Sequence, residues 1–400
     1  MNPYQRALQS LWLQRGDALG LAREAVAAAP QSAAALILEA ALLACSRDVR
    51  DYEAAGWAFA RLRGLPMNER ERAHAAALAA AIDGDLERAC RLYDGILAEE
   101  PADPVALWAA QVMDYYLGNA EALRDRTGRA LARWSPGMAG YHAVVSMHAF
   151  GLQECGDYAA AEDAALRALE LEPRDMRAQH ALLHVHEMLG KPAEGLRWAA
   201  EHAAQWDAVH HMWWHVALFL VTAERQHAAL TIYDRRLQDE TLAGLIDASA
   251  LLWRLRLERF DVGARFAALA ARWAAHAEDA HCAFNDLHAM MAFAGAERWD
   301  LARRLLAAQE RRLARPGANR DMTRLVGYPA CRALSAFARG DFRAAEALLR
   351  SLPPVAHRIG GSHAQRDVLQ LTRAAAAARR PLSSQGEVHA FATPQRLAAA

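Results

Sequence analysis

The chain repeats itself every 34 residues over much of its length, and that period leaves few folds open to it. Gly84-Asp-Leu-Glu-Arg-Ala89, running on to Pro101, aligns with Gly156-Asp-Tyr-Ala-Ala-Ala161, running on to Pro173. Each has a glycine, a small residue five positions later and a proline 17 positions later. Following that turn residue marks Gly16, Arg50, Gly84 and Gly118, then Gly156, Gly190, Glu224 and Glu258, in steps of 34 with one step of 38 after Gly118. Two less regular units follow, marked by Glu297 and Gly340. Five residues past the markers stand Ala55, Ala89, Ala161, Gly195, Ala229, Gly263, Ala302 and Ala345, while Leu21 and Leu123 depart from the rule. A small side chain at that point lets two helices approach closely, so its recurrence is a packing signal.

A helix, a short turn, a second helix and a proline beyond is the tetratricopeptide pattern. Each pair buries its apolar stripe against the next pair. Helix is supported independently by the wealth of alanine, leucine, arginine and glutamate and by spacings such as Leu38, Ala41, Leu42 and Cys45. The expected fold is all-α: a tetratricopeptide-like α-solenoid of about ten helix-turn-helix units curved around an inner pocket. Residues 1–133 read as regular N-terminal repeats, a scaffold with few unusual polar side chains. Residues 134–379 read as the repeats that carry the pocket, entered through a loop at Trp134–Gly140 that adds four residues to the period. A long loop is expected at Leu313–Asp321, and a flexible tail over 380–400.

With 46 basic and 47 acidic residues and no long run of one sign, the chain carries no signature of a nucleic-acid or anionic-membrane partner. The start, Met1-Asn-Pro-Tyr-Gln-Arg, lacks the basic and apolar regions of a secretory signal, and apolar runs such as Ala33–Cys45 fall short of a bilayer span. A cytoplasmic location is expected. The five widely spaced cysteines form no Cys-x-x-Cys pair and read as reduced core thiols.

Nine of the 17 histidines fall between His142 and His215, and that density is the main functional clue. His180, His184 and Glu187 stand ten, six and three residues before Gly190, on one helical stripe. His211 and His215 stand thirteen and nine before Glu224, again four apart, and Glu154 stands two before Gly156. First helices of a tetratricopeptide array line its concave face, so imidazoles and carboxylates from three consecutive units aim at a shared space. His186 lies off the stripe and reads as packing or as a partner to a neighbouring ligand. Trp213 and Trp214 would wall the site. Neutral imidazole and carboxylate are ordinary ligands for zinc, manganese or iron, which makes His180, His184, Glu187, His211 and His215 the metal candidates. The same groups suit acid–base catalysis, with His184 or His215 as base and Glu154 or Glu187 as orienting carboxylate. No phosphate-binding glycine loop and no Gly-x-Ser-x-Gly elbow is present.

Over roughly Tyr141 to Leu369 the chain resembles the tetratricopeptide repeat protein 38 family. The resemblance rests on Phe150-Gly-Leu-x-Glu154, His180-x-x-x-His184-x-His186-Glu187-Met188, His211-x-x-Trp214-His215-x-Ala217-Leu218, Ala229-Leu-Thr-Ile-Tyr-Asp234, Phe284-Asn-Asp286-x-His288 and Gly360-Gly-Ser-x-Ala-Gln-Arg-Asp367. It implies the helical repeat and names no agreed activity. It does extend the candidate ligand-binding set from His180, His211 and Trp214 to Asn285, Asp286, His288, Gln365, Arg366 and Asp367. For Arg366 and Asp367 the competing reading is a structural ion pair, and for Asn285 and Asp286 it is helix capping. Ser362 is placed to cap the helix that follows Gly361.

Three functions stay open on the sequence. The first is binding of a small molecule or peptide end in a His/Glu-lined pocket; the second is a hydrolase-like enzyme built on the same cluster, with or without a divalent metal; the third is a protein–protein scaffold. The sequence requires no cofactor and leaves the oligomeric state open, a homo-oligomer included.

Overall fold

The computed structural model describes residues 1–206 and 210–380, and every regular element among them is helical. The first eight helices are α1 (Pro3–Leu13), α2 (Ala18–Ala28), α3 (Ala33–Ala44), α4 (Val49–Ala60), α5 (Glu69–Ile82), α6 (Leu86–Glu99), α7 (Pro104–Leu117) and α8 (Ala120–Leu131). The next eight are α9 (Tyr141–Glu154), α10 (Tyr158–Leu171), α11 (Met176–Met188), α12 (Pro192–His202), α13 (His210–Thr222), α14 (Gln226–Arg236), α15 (Leu242–Leu257) and α16 (Arg265–Trp273). Then come α17 (Ala283–Gly295), α18 (Trp299–Leu313), α19 (Ala318–Met322), α20 (Tyr328–Ala338), α21 (Phe342–Arg350) and α22 (His363–Arg379). None of these helices is long and apolar enough to cross a membrane.

Local chemistry sets where the helices begin. Asp103 accepts from the N–H groups of Val105 and Ala106 at the start of α7, and Asp175 does the same for Arg177 and Ala178 at the start of α11. At α22 the expected cap forms, with the Gln365 side chain reaching back to the Ser362 N–H at 3.0 Å. The turns follow the repeat. Gly16, Gly84, Gly118, Gly156, Gly190, Glu224, Glu297 and Gly340 all take the left-handed backbone conformation that reverses a helix hairpin. Two markers miss. Arg50 lies inside α4, because Asp48 caps that helix two residues earlier, and at Glu258 the left-handed residue is its neighbour Arg259.

Hairpin partners such as α5 and α6, or α13 and α14, pack on each other, and the leading helices also pack side by side: α9 on α11, α11 on α13, α13 on α15, α15 on α17. The small residues sit at these close approaches. A Cβ on Gly195 would stand 2.3 Å from the ring of Phe219, and Ala89, Ala161, Ala229 and Ala345 are fully buried. Gly263 is the exception, exposed and left-handed ahead of α16. One hydrophobic core runs from Ala7 to Ala376, across the boundary expected at residue 134. The expected loop at Leu313–Asp321 is shorter, since α19 begins at Ala318. The expected tail lies outside the described residues beyond Arg380.

Contacts remote in sequence then join the two ends. Gly118 comes so close to the His357 carbonyl that a Cβ would stand 1.8 Å from its oxygen, and the Ala318 N–H donates to the Gly84 carbonyl at 2.9 Å. Helix α22 is held among earlier helices by buried polar bonds: Arg366 to Glu154 of α9 at 3.2 Å, Tyr115 of α7 to Gln365 at 2.7 Å and Trp253 of α15 to Thr372 at 3.0 Å. Arg366 and Glu154 are both almost wholly buried. Removing one charge leaves the other uncompensated, whereas removing both does not. Glu154→Gln should therefore cost about 3–5 kcal/mol in urea unfolding, and the double variant Glu154→Leu/Arg366→Met clearly less than the sum of the singles. Strict additivity would show that the two groups are not coupled.

Candidate functional site

Four imidazoles meet where α11 lies beside α13. His180 and His184 occupy successive turns of α11, His211 and His215 successive turns of α13, so each helix directs two rings at the other. One nitrogen from each ring can be chosen so that all four lie within 4.8 Å of one another. The Nε2 atoms of His180 and His184 are 3.0 Å apart. Ring centroids are 4.4 Å apart for His180–His184 and 4.5 Å for His184–His215. His184 and His215 are fully buried, whereas His180 and His211 are half-buried.

Aromatic and charged neighbours fix these rings. Trp214, expected as a wall, stacks on His211 with centroids 5.2 Å apart and meets His215 edge-on. Phe150 of α9 lies face to face with His180 at 5.9 Å and edge-on to His184 at 5.5 Å. The His211 Nδ1 faces both carboxylate oxygens of Asp247 on α15, at 2.8 and 2.9 Å. A carboxylate only accepts, so Nδ1 is the nitrogen that donates and Nε2 is the one left for another partner. Burial, and then the neighbouring imidazoles and arginines, hold His180, His184 and His215 well below the ordinary histidine range. These three rings are neutral at physiological pH. Both nitrogens of His215 and the Nδ1 of His184 are buried with no hydrogen-bond partner.

The remaining expected residues divide. Glu187 is buried on α11 but does not belong to the group of converging ligand atoms. Glu154 does not orient an imidazole: its oxygens accept from Arg366, from Gln153 at 2.9 Å and from the His363 N–H at 3.2 Å. Arg366 and Asp367 are ion-paired, Arg366 with Glu154 and Asp367 with the buried Arg254 of α15, which is the structural alternative. Asn285, Asp286 and His288 sit elsewhere on α17. Asn285 donates to the Arg47 carbonyl at 2.9 Å, Asp286 accepts from Gln309 at 3.0 Å, and His288 Nδ1 donates to the Phe284 carbonyl at 2.8 Å. None of the three caps its helix, whose capping position is Cys282.

Beside the imidazoles opens a cavity of about 810 Å³. His180 and His211 form part of its wall, while His184 and His215 lie behind them. Gln365 also reaches it, so this member of the expected set keeps a place at the site. Much of the polar wall was not anticipated, including Arg47 just beyond α3, Asp48 and Asp51 at the start of α4, Gln111 and Tyr115 of α7, Arg177 of α11 and Asp247 of α15. Supposed scaffold units thus supply much of the site. Exposed Gln14, Thr241 and Ala243 line the cavity where it meets solvent.

Asp286 offers a pH test that leaves the imidazoles untouched. Burial raises its pKa to about 7, partly offset by the Gln309 bond. Its folded pKa exceeds its unfolded value of about 3.9, so its contribution to stability is fully present below pH ~4 and is lost as pH rises to ~7. Asp286→Asn should match wild type in melting temperature near pH 4 and exceed it by at least about 2 °C at pH 8. A pH-independent difference would mean that the carboxyl does not titrate across that window.

No protein-family model matches the chain, so what the four imidazoles do has to follow from their geometry.

Proposed function

We propose that this protein is a tetratricopeptide-like α-solenoid, curved around an inner chamber in which it binds a small anionic molecule. The observation that carries the reading is the cavity of about 810 Å³ whose polar wall comes from eight helices or helix ends spread over the chain, from α1 to α22. That volume is within the range of about 300–1,000 Å³ typical of small-molecule sites. The eight left-handed turn markers and the side-by-side packing of leading helices support the repeat. A small molecule is favoured over a long peptide because helix α22 of the chain itself stands among α7, α9 and α15.

Two guanidiniums favour an anionic group on the ligand, because the carboxylates of the same wall, Asp48, Asp51 and Asp247, are already engaged by Arg50, Ser46 and His211. Arg47 lies over the rings of Tyr115, Tyr116 and Phe284, at 5.2, 4.6 and 4.3 Å, and Arg177 donates to the Trp12 carbonyl at 3.4 Å. Both are half-buried and neither has an ion-pair partner among the described residues, so a counter-charge on a ligand would be favourable. A carboxylate, sulfonate or phosphate on the ligand supplies that charge, and Trp108, Phe150 and Val112 offer its body an apolar wall. One observation favours a catalytic reading as well. His211, at the chamber wall, is backed by Asp247 as a general base would be.

The aromatic sulfonate 8-anilinonaphthalene-1-sulfonate tests the binding reading directly. Its fluorescence should saturate at one molecule per chain, and either Ala243→Trp at the mouth or Arg177→Met should weaken binding at least about tenfold. Non-saturating binding, or equal affinity in both variants with unchanged helical circular dichroism, would remove the chamber from the account.

A further inference from the structure

We propose that His180, His184, His211 and His215 together bind one divalent late transition-metal ion of the zinc class. The inference stands on the imidazoles alone and does not require the chamber's anionic ligand.

Geometry gives the first argument. Zinc–imidazole bonds of about 2.0–2.1 Å place tetrahedral nitrogens about 3.3 Å apart. The four ligand nitrogens lie within 4.8 Å of one another, and the Nε2 atoms of His180 and His184 are 3.0 Å apart, so ring shifts of about 1 Å bring them onto one ion. Each pair sits four residues apart on its helix, and α11 packs directly on α13, so the donors belong to a rigid part of the core.

Valence gives the second. A metal ligand must offer a lone pair, and imidazole offers one on the ring nitrogen that carries no proton. His211 presents Nε2 because Asp247 holds the Nδ1 proton, an arrangement that orients metal-bound histidines and raises their basicity. His215 leaves both nitrogens, and His184 its Nδ1, buried without a hydrogen bond. Unsatisfied buried groups of this kind are destabilising, and an ion bound at the convergence point supplies His215 with a bond the protein does not. Four nitrogens without thiolate or carboxylate select zinc, copper, nickel or iron over magnesium or calcium, which take oxygen.

Position gives the third. His184 and His215 are sealed behind His180 and His211, which face the cavity. The ion would therefore be approached from the chamber side alone. An ion held there would lie beside the chamber and have Lewis-acid character.

The full chain, stripped with a chelator and dialysed, is titrated with zinc chloride by calorimetry and with cobalt chloride by visible absorption. One ion per chain is expected, with cobalt bands in the 500–700 nm region on the order of those of four-coordinate sites. His211→Gln, at a half-buried position where folding is little affected, should weaken zinc binding at least about 100-fold, and Asp247→Asn about 10–100-fold. The exposed His227→Gln should change nothing. Heat and cobalt bands both missing at about 50 µM protein, or His211→Gln binding as tightly as wild type, would overturn the assignment. Ala243→Trp separates this inference from the chamber reading: it should block the sulfonate probe while leaving one zinc per chain.

Discussion

The buried pair between Glu154 and Arg366 joins residues 212 positions apart, and the shape of the site depends on it. Helix hairpins stacked on neighbours need only local contacts, and nothing in such contacts decides whether the last unit returns to the first. Glu154 sits at the end of α9, one unit before the helix that carries His180 and His184. Its carboxylate accepts from the first N–H of α22 as well as from Arg366, so helix and ion pair are seated by one group. Arg254 repeats the device from the other side, reaching the Ala364 carbonyl and the Asp367 carboxylate from α15. Between these anchors the chamber acquires its far wall.

The local part of this structure was legible in the sequence because helix hairpins repeat their physics. A left-handed residue is required wherever a short turn reverses the chain, and glycine supplies it at the lowest cost, which is why Gly84, Gly118, Gly156 and Gly190 announced their turns. The same requirement met by Glu224 and Glu297 could be found only by counting. Counting failed at Arg50, where Asp48 starts the helix early, and slipped by one residue at Glu258. The small-residue rule held where helices touch and failed at Gly263, whose freedom serves a turn and not a contact.

The imidazole cluster was legible for the same reason, since His180 and His184, ten and six before their turn, and His211 and His215, thirteen and nine before theirs, each share one helical stripe. Applied more widely, that count back from the turn would also have found Trp108 and Phe150, which stand ten before Gly118 and six before Gly156 and line the same cavity. It would have found Tyr115, three before its turn as Glu187 is before its own. Asp247 stands eleven before Glu258, close to these inward offsets, and was passed over because a lone aspartate in an apolar helix attracts no notice. Arg47 had no such signal. Its place depends on the chain ends meeting, where Phe284 lies under its guanidinium and Asn285 binds its carbonyl. Periodicity describes neighbours, and closure is a contact between strangers.

Glu154, Arg366 and Asp367 are paired for a related reason, and for Arg366 and Asp367 an ion pair is the alternative that the sequence left open. Polar residues strung along family-like motifs look like a binding surface when each is seen on its own helix. Once α22 is in place they satisfy one another, and the low cost of a buried charge with a partner explains why they can be there at all. That settles what distinguishes the histidines. His184 and His215 are as buried as the ion pairs and His180 and His211 are half-buried, yet among the described residues only His211 has a carboxylate and His215 has no hydrogen-bond partner. Leucines at these four positions would fill the same space, bury more apolar surface and carry no unsatisfied nitrogen. An arrangement that stability alone would replace, set one ring deep behind a chamber wall, is better explained by what enters the chamber than by what holds the helices together.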